Sequence, residues 1–317
     1  MVLIAGTGGG GLYNPVANTW SSAGAIGANG ATGTLLQSGK VLAAGGDSGS
    51  GSGVATVEIY DPASGWSFAA SMTTPRLGHT ATLLPNGKVL VAGGVCCLSG
   101  GPLATAEIYD PVANTWTAAA SMNVGRQNHT ATLLQNGLVL VAGGGTADAE
   151  TYDPVANQWT TVAVMLSAPQ FHTATLLPNG KVLIAGGQIG GTQNLNFPQT
   201  MTMTAPEVYD PVANTWSSAG VMITPRAMHG AALLQNGTVI VVGGTDGTIF
   251  EDYPEALSSA ELYDPATNSW APTGGMSVAR YNPVVLLLQN GVVLAGGGSA
   301  AGNMDIVTYW TSAELYW

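Results

Sequence analysis

The chain has 317 residues and carries seven basic against eighteen acidic side chains, a net charge of −11 that disfavours a nucleic-acid partner. Hydrophobic residues make up 46%, enough for a sizeable core, whereas charged residues reach only 8%, well under the usual quarter. Glycine contributes 45 residues and proline 17, yet apolar runs recur between them at fixed spacing, which argues against disorder, and no run is long enough for a membrane span.

Residues 1–11 read MVLIAGTGGGG and resemble a short signal-peptide core. No basic residue precedes the apolar run, and 2–6 aligns with a strand that recurs at 139–143, so the stretch is read as structure, with no signal peptide in this chain. Leu12-Tyr13-Asn14-Pro15 and Trp20 follow. Residues 31–46 hold two short apolar runs and end in a glycine pair. Glu58-Ile59-Tyr60-Asp61-Pro62, Trp66 and Arg76 come next. The pattern is fullest at 79–94, HTATLLPNGKVLVAGG. There Asn86-Gly87 joins two apolar runs, a strong hairpin signal because both residues tolerate positive φ.

The same phrase returns at 129–144, 172–187 and 229–244, and in degenerate form at 283–298. Each glycine pair is followed by a Tyr-Asp-Pro or related segment, with tyrosines at 13, 60, 109, 152, 209, 263 and 316. A tryptophan then follows at 20, 66, 116, 159, 216 and 270. The period averages about 50 residues.

Double glycine, Tyr-Asp-Pro strand, Trp, then Arg ahead of the next apolar run resembles the kelch motif. That resemblance implies an all-β fold, a β-propeller of four-stranded antiparallel blades, here labelled a to d from the axis outwards. In the clearest repeat the strands fall at 80–84, 89–93, 105–109 and 115–119. Physical reasoning agrees, because strands this short need face-to-face stacking to bury both sides. The repeat Tyr and Trp are expected to pack between blades, with their polar atoms bonded near the rim. Seven b strands and seven c strands can be counted against six a and six d strands. Seven blades are predicted, the first built from b, c and d and the last without its outer strand. In a six-bladed alternative the Trp20 strand completes the last blade and leaves 2–6 and 12–15 outside. Residues 1–317 are read as one propeller domain.

Antiparallel order puts the a–b and c–d turns on one face and the d–a and b–c loops on the other. The first face repeats almost verbatim; the second varies, and loops on a rigid scaffold are where binding sites usually lie. The d–a loops contribute Arg76, Arg126, Arg226 and Arg280, with Pro169 at the equivalent place in another repeat. The long b–c loops bring Phe197, Phe250, Glu251, Asp252, Tyr253, Tyr309 and Trp310. Guanidiniums and aromatics on one face suit an acidic peptide, a carboxylate or a sugar. The competing reading, which is favoured, pairs each Arg with a repeat Glu such as Glu58 or Glu107, or has it cap backbone carbonyls. Asp246, Glu251, Asp252 and Glu255 offer clustered oxygens for Ca²⁺ but do not follow EF-hand spacing, and a solvated acidic loop is the favoured reading.

His79, His129, His172 and His229 occupy one repeat position and are expected to hydrogen-bond within their own blades. Sequons at Asn128 and Asn236 fall in repeat positions and receive no role. Cys96 and Cys97 are adjacent, which is neither a disulfide framework nor metal-ligand spacing; thiols and a vicinal disulfide both stay open. Some propellers of this kind resemble galactose oxidase, which needs a Tyr–Cys crosslink with further Tyr and His ligands, and no such set is read here. No catalytic motif and no cofactor is expected. The reading is a non-catalytic module that binds protein or carbohydrate, without membrane insertion, secreted or at the surface of a bacterial cell. The alternatives are an assembly subunit joined through incomplete terminal blades and a small-molecule enzyme at the channel mouth.

Overall fold

The computed structural model describes residues 1–6, 9–47, 49–97, 100–190, 201–203, 205–250, 253–301, 307–309 and 312–316. All regular structure among them is β. Strands pair antiparallel into seven blades of a β-propeller. The chain packs as two compact units, Met1–Gly144 with Asp148–Val162 and Gly145–Ala147 with Ala163–Trp317.

The first unit holds four blades. Its first blade is Val2–Gly6, Gly9–Asn14 and Thr19–Ser22, in the b, c and d roles. Trp20 pairs with Tyr13 across this sheet, so the Trp20 strand belongs to the first blade and the count is seven. The next blade spans 32–68 in the order a, b, c, d. The third is Thr80–Leu83, Val89–Ala92, Ala106–Asp110 and Thr115–Ala119. The fourth spans 130–161. The second unit holds blades at 173–218 and 230–273 and a last one of Val284–Leu287, Val293–Gly296 and Ala313–Tyr316, in the a, b and c roles.

Why the b strands are apolar at every position follows from their place. Val89 and Val91 pack with Leu42 and Ala44 of the blade before, whereas Leu90 and Ala92 pack with Val139 and Val141 of the blade after. Alternate side chains therefore enter two different interfaces, and a polar residue at either parity would be desolvated.

The a–b connection differs from a two-residue turn. The Gly87 amide donates to the Leu84 carbonyl and the Leu84 amide to Lys88, and only Gly87 takes positive φ, at 81°. This is a three-residue loop with a glycine bulge. Asn86 serves through its side chain, accepting the Lys88 amide at 3.1 Å.

The Tyr-Asp-Pro signature builds the outer rim. Asp110 accepts the amides of Val112 and Ala113, which fixes the c–d turn. Asn114 closes it at a φ of 53° and accepts the Tyr109 hydroxyl at 2.9 Å. Its Oδ1 also accepts the Ala70 amide of the preceding blade, and Trp116 Nε1 donates to the Ala70 carbonyl at 2.7 Å. Trp159, Trp216 and Trp270 repeat the last contact to Ala120, Ala163 and Ala219.

Candidate functional site

The d–a and b–c face begins with the arginines. Arg76, Arg126, Arg226 and Arg280 are each 0% exposed. Arg76 Nη1 donates to the carbonyls of Gly93 and Thr105, both at 2.8 Å, while Nη2 reaches Glu107 Oε1 at 3.1 Å. Gly93 follows strand b and Thr105 precedes strand c, so one guanidinium clasps both ends of a b–c loop. Arg126 holds Gly143, Asp148 and Glu150; Arg226 holds Gly243, Ser259 and Glu261; Arg280 holds Gly297, Ser312 and Glu314. The clasp is the same whatever the length of the loop it closes.

The paired carboxylate turns its other oxygen to the d–a loop. Glu107 accepts the Thr73 amide and hydroxyl at 2.8 and 2.6 Å. Burial alone would raise its pKa, but the bonds from Thr73 and Arg76 outweigh it and leave the carboxyl below the usual range. The expectation that these arginines grip a partner is corrected here: they are buried and engaged by their own chain, the competing Glu-paired reading.

In two blades the clasp position is filled by another residue. Ala28 and Pro169 stand there, and Glu58 and Glu207 keep the carboxylate position. Glu58 accepts the Gly27 amide. Glu207 is 2% exposed, and burial raises its pKa although it accepts the Leu166 amide and the Ser167 hydroxyl.

Three of the histidines reach the neighbouring blade, beyond the bonds within a blade that the sequence leads one to expect. His79 Nε2 bonds Thr32 Oγ1 at 3.0 Å, His129 bonds Thr80 and His229 bonds Thr173. In each pair the threonine lies on the a strand of the blade before. Burial, with Arg76 nearby, lowers His79 to about 4; burial lowers His172 to about 4 and His229 to about 3.

The second unit adds what the repeats do not contain. Each of its three b–c loops carries an extra two-stranded hairpin: Gln188–Ile189 with Met201–Thr202, Thr245–Phe250 with Tyr253–Ala256, and Ser299–Ala301 with Val307–Tyr309. Bridges Gln170–Gln188, Ala227–Thr245 and Tyr281–Ser299 tie each hairpin base to the d–a loop beside it. The first hairpin lies against the second through Met201–Thr202, where the Thr202 hydroxyl donates to the Asp246 carbonyl, and the second lies against the third through Tyr253–Ala256. The three form a continuous crest.

Of the predicted loop residues, Phe250 and Tyr253 are backbone partners in the register of the middle hairpin, and Tyr309 pairs in backbone register with Ser299. Phe197, Glu251, Asp252 and Trp310 lie outside the described residues. Asp246 and Glu255 sit on the two strands of the middle hairpin, and the other two residues of the predicted Ca²⁺ group lie outside the described residues.

Charge is distributed unevenly. All seven cations of the chain are in ion pairs: Lys40, Lys88 and Lys181 with Asp61, Asp110 and Asp210 between the a–b and c–d turns, and the four arginines with their glutamates. The b–c loops carry Asp47, Asp148, Asp246, Glu251, Asp252, Glu255 and Asp305 with no lysine or arginine among them. The hairpin crest is not legible in the sequence, whereas arginines held by a repeat Glu and by backbone carbonyls are one of the two readings it offers. One signal for the clasp was legible, because each Arg stands 17 residues before the glycine whose carbonyl it holds.

The Kelch motif family model matches residues 76–123 and 225–277. Kelch-like protein 25 of Rattus norvegicus is 34% identical over 99 residues, 31% of this chain and 17% of that protein. Alpha-scruin of Limulus polyphemus is 25% identical over 109 residues, 34% of this chain and 12% of that protein. The chain therefore spans less than a fifth of the length of these relatives. A fungal alcohol oxidase of the AA5 family in complex with copper superposes with a TM-score of 0.76 at 22% identity, covering 96% of this chain and 67% of that one. YjhT superposes with a TM-score of 0.69 at 17% identity, covering 92% and 95%. These likenesses are of fold.

Among the described residues, the His and Cys donors that a copper centre would draw on do not converge. The four histidines are buried at one position of four separate blades, and the two cysteines are neighbours in one loop. Among the described residues no group of three His, Cys, Asp or Glu side chains converges on a metal position.

Proposed function

We propose that this β-propeller, with kelch motifs at 76–123 and 225–277, is a non-catalytic recognition module whose contact surface is the hairpin crest of the last three blades. The observation that carries this reading is the crest itself. Three adjoining hairpins depart from the repeat, carry aromatic and acidic residues, and contain no lysine or arginine. Partner polarity follows from the buried arginines. With every cation already paired, the loops present net negative charge, and the complementary partner is a protein segment rich in lysine or arginine. Aromatic side chains at the crest suit such a partner, because guanidinium and ammonium groups stack on ring faces. Charge steering of this kind weakens with salt.

The test is a graft. Residues 247–254 are replaced by a Gly-Gly link that preserves the Thr245–Ala256 closing pair. Intact and grafted chains are compared on peptide arrays of lysine- and arginine-rich against aspartate- and glutamate-rich sequences. The intact chain retains basic peptides in a salt-sensitive manner, and the graft lowers that affinity at least about tenfold, a loss of about 1.4 kcal/mol. An unchanged peptide profile after grafting, or preference for acidic peptides, sinks the reading.

A further inference from the structure

The b–c loop of the third blade holds a feature that no repeat explains. Cys96 and Cys97 place their Sγ atoms 3.2 Å apart, and both side chains are half-buried, open to a small reagent. Their backbone is held by hydrogen bonds to two neighbouring loops and within their own. Val95 exchanges both amide–carbonyl bonds with Leu77, each at 2.9 Å. The Cys96 carbonyl accepts the Gly53 amide of the neighbouring loop at 3.0 Å, and the Cys97 carbonyl accepts the Gly100 amide at 2.9 Å. Beneath them, Arg76 clasps the loop base through Gly93 and Thr105. The two thiols are thus held together by the fold and do not meet only by chance rotation.

We infer that Cys96 and Cys97 form a reversible dithiol–disulfide couple driven by small-molecule disulfides of the glutathione type. One cysteine thiolate attacks a sulfur of the external disulfide, forming a mixed disulfide and expelling one external thiolate. The second cysteine thiolate attacks the protein sulfur of that mixed disulfide, forming the Cys96–Cys97 bond and expelling the other external thiolate. Two electrons pass from the cysteines to the external disulfide, and the two protons lost from the cysteine thiols appear on the two released thiols. Adjacent residues have Cα atoms about 3.8 Å apart, shorter than the span of roughly 4.4–6.8 Å usual for disulfides. The closed form is therefore readily reduced, which makes the couple reversible instead of a permanent staple. Holding the sulfurs together in advance offsets part of that cost, so the folded chain closes more readily than the unfolded one.

The experiment equilibrates the chain in buffers of graded oxidised-to-reduced glutathione, quenches with an alkylating reagent and reads intact mass and peptide mass. The folded wild type becomes two hydrogens lighter, loses both alkylation sites and stays unlinked to other chains. It does so at an oxidised-to-reduced ratio at least about tenfold lower than the same chain in guanidinium chloride. Cys96→Ser and Cys97→Ser each stop at one glutathione adduct. Stable mixed disulfides on the folded wild type, chain-to-chain links, or closure no easier than in guanidinium chloride each overturn the inference.

Discussion

Replacing Arg126 by methionine lowers the unfolding free energy by about 3–5 kcal/mol, the cost of breaking a buried ion pair on one side. The guanidinium is 0% exposed and donates to Gly143, Asp148 and Glu150. Its removal strands the Glu150 carboxylate, which is itself 0% exposed, and two carbonyls at the ends of one loop. Truncating Glu150 as well, as Arg126→Met with Glu150→Leu, recovers only part of the loss. The Asn123 and Val124 amides that Glu150 accepts are then left without it. The contrast is Lys88→Met. Lys88 reaches Asp110 at 3.1 Å, but its side chain is 43% exposed, and such a pair is worth about 0–1 kcal/mol. Urea unfolding followed by tryptophan fluorescence separates the two; equal small losses at Arg126 and Lys88 would show that the arginine is not a structural clasp.

Acid unfolds the chain through its histidines. In the fold His79 and His172 titrate at about 4 and His229 at about 3, against about 6.5 in an unfolded chain. Between those values the unfolded state binds more protons, so stability is intact above about pH 6.5 and falls as pH drops towards 4. Each histidine contributes on the order of 3 kcal/mol when the fall is complete, and three together rival the total stability of a domain. Glu107 and Glu314, held below the usual carboxylate range, add a further loss at lower pH. Glu207 acts in the opposite sense, since burial raises its pKa and protonation favours its place in the fold. Circular dichroism against pH checks this: the transition begins near pH 6 and steepens towards 4, and its slope is shallower in His172→Gln/His229→Gln. A chain whose stability is flat from pH 7 to 4 contradicts the histidine account.

Much of the frame was legible because its signals are local. Asn-Gly turns, glycine pairs and the Tyr-Asp-Pro-to-Trp interval each fix a strand end within a few residues, and their repetition gave seven blades with three-stranded first and last sheets. What stayed hidden depends on distance in space. Loop position alone leaves the four arginines open to two readings, a partner or the chain's own Glu and carbonyls, and only the fold shows each drawn inwards by a carbonyl 17 residues on and by a glutamate beyond it. The histidines looked confined to their own blades because nothing in a single repeat announces the threonine of the blade before. Gln188–Ile189 and its partner strand are two residues each, too short for a periodic signal, and only the fold brings the three hairpins side by side.

The division between buried frame and acidic contact loops rests on one checkable property, the inaccessibility of the arginines. Phenylglyoxal, which modifies exposed guanidinium groups, is applied to the native chain and to the chain in guanidinium chloride, with sites read by peptide mass. The unfolded chain takes the reagent at Arg76, Arg126, Arg226 and Arg280, and the native chain takes it at none of them. Rapid modification of any of the four in the native chain would contradict the account and return the arginines to the binding face.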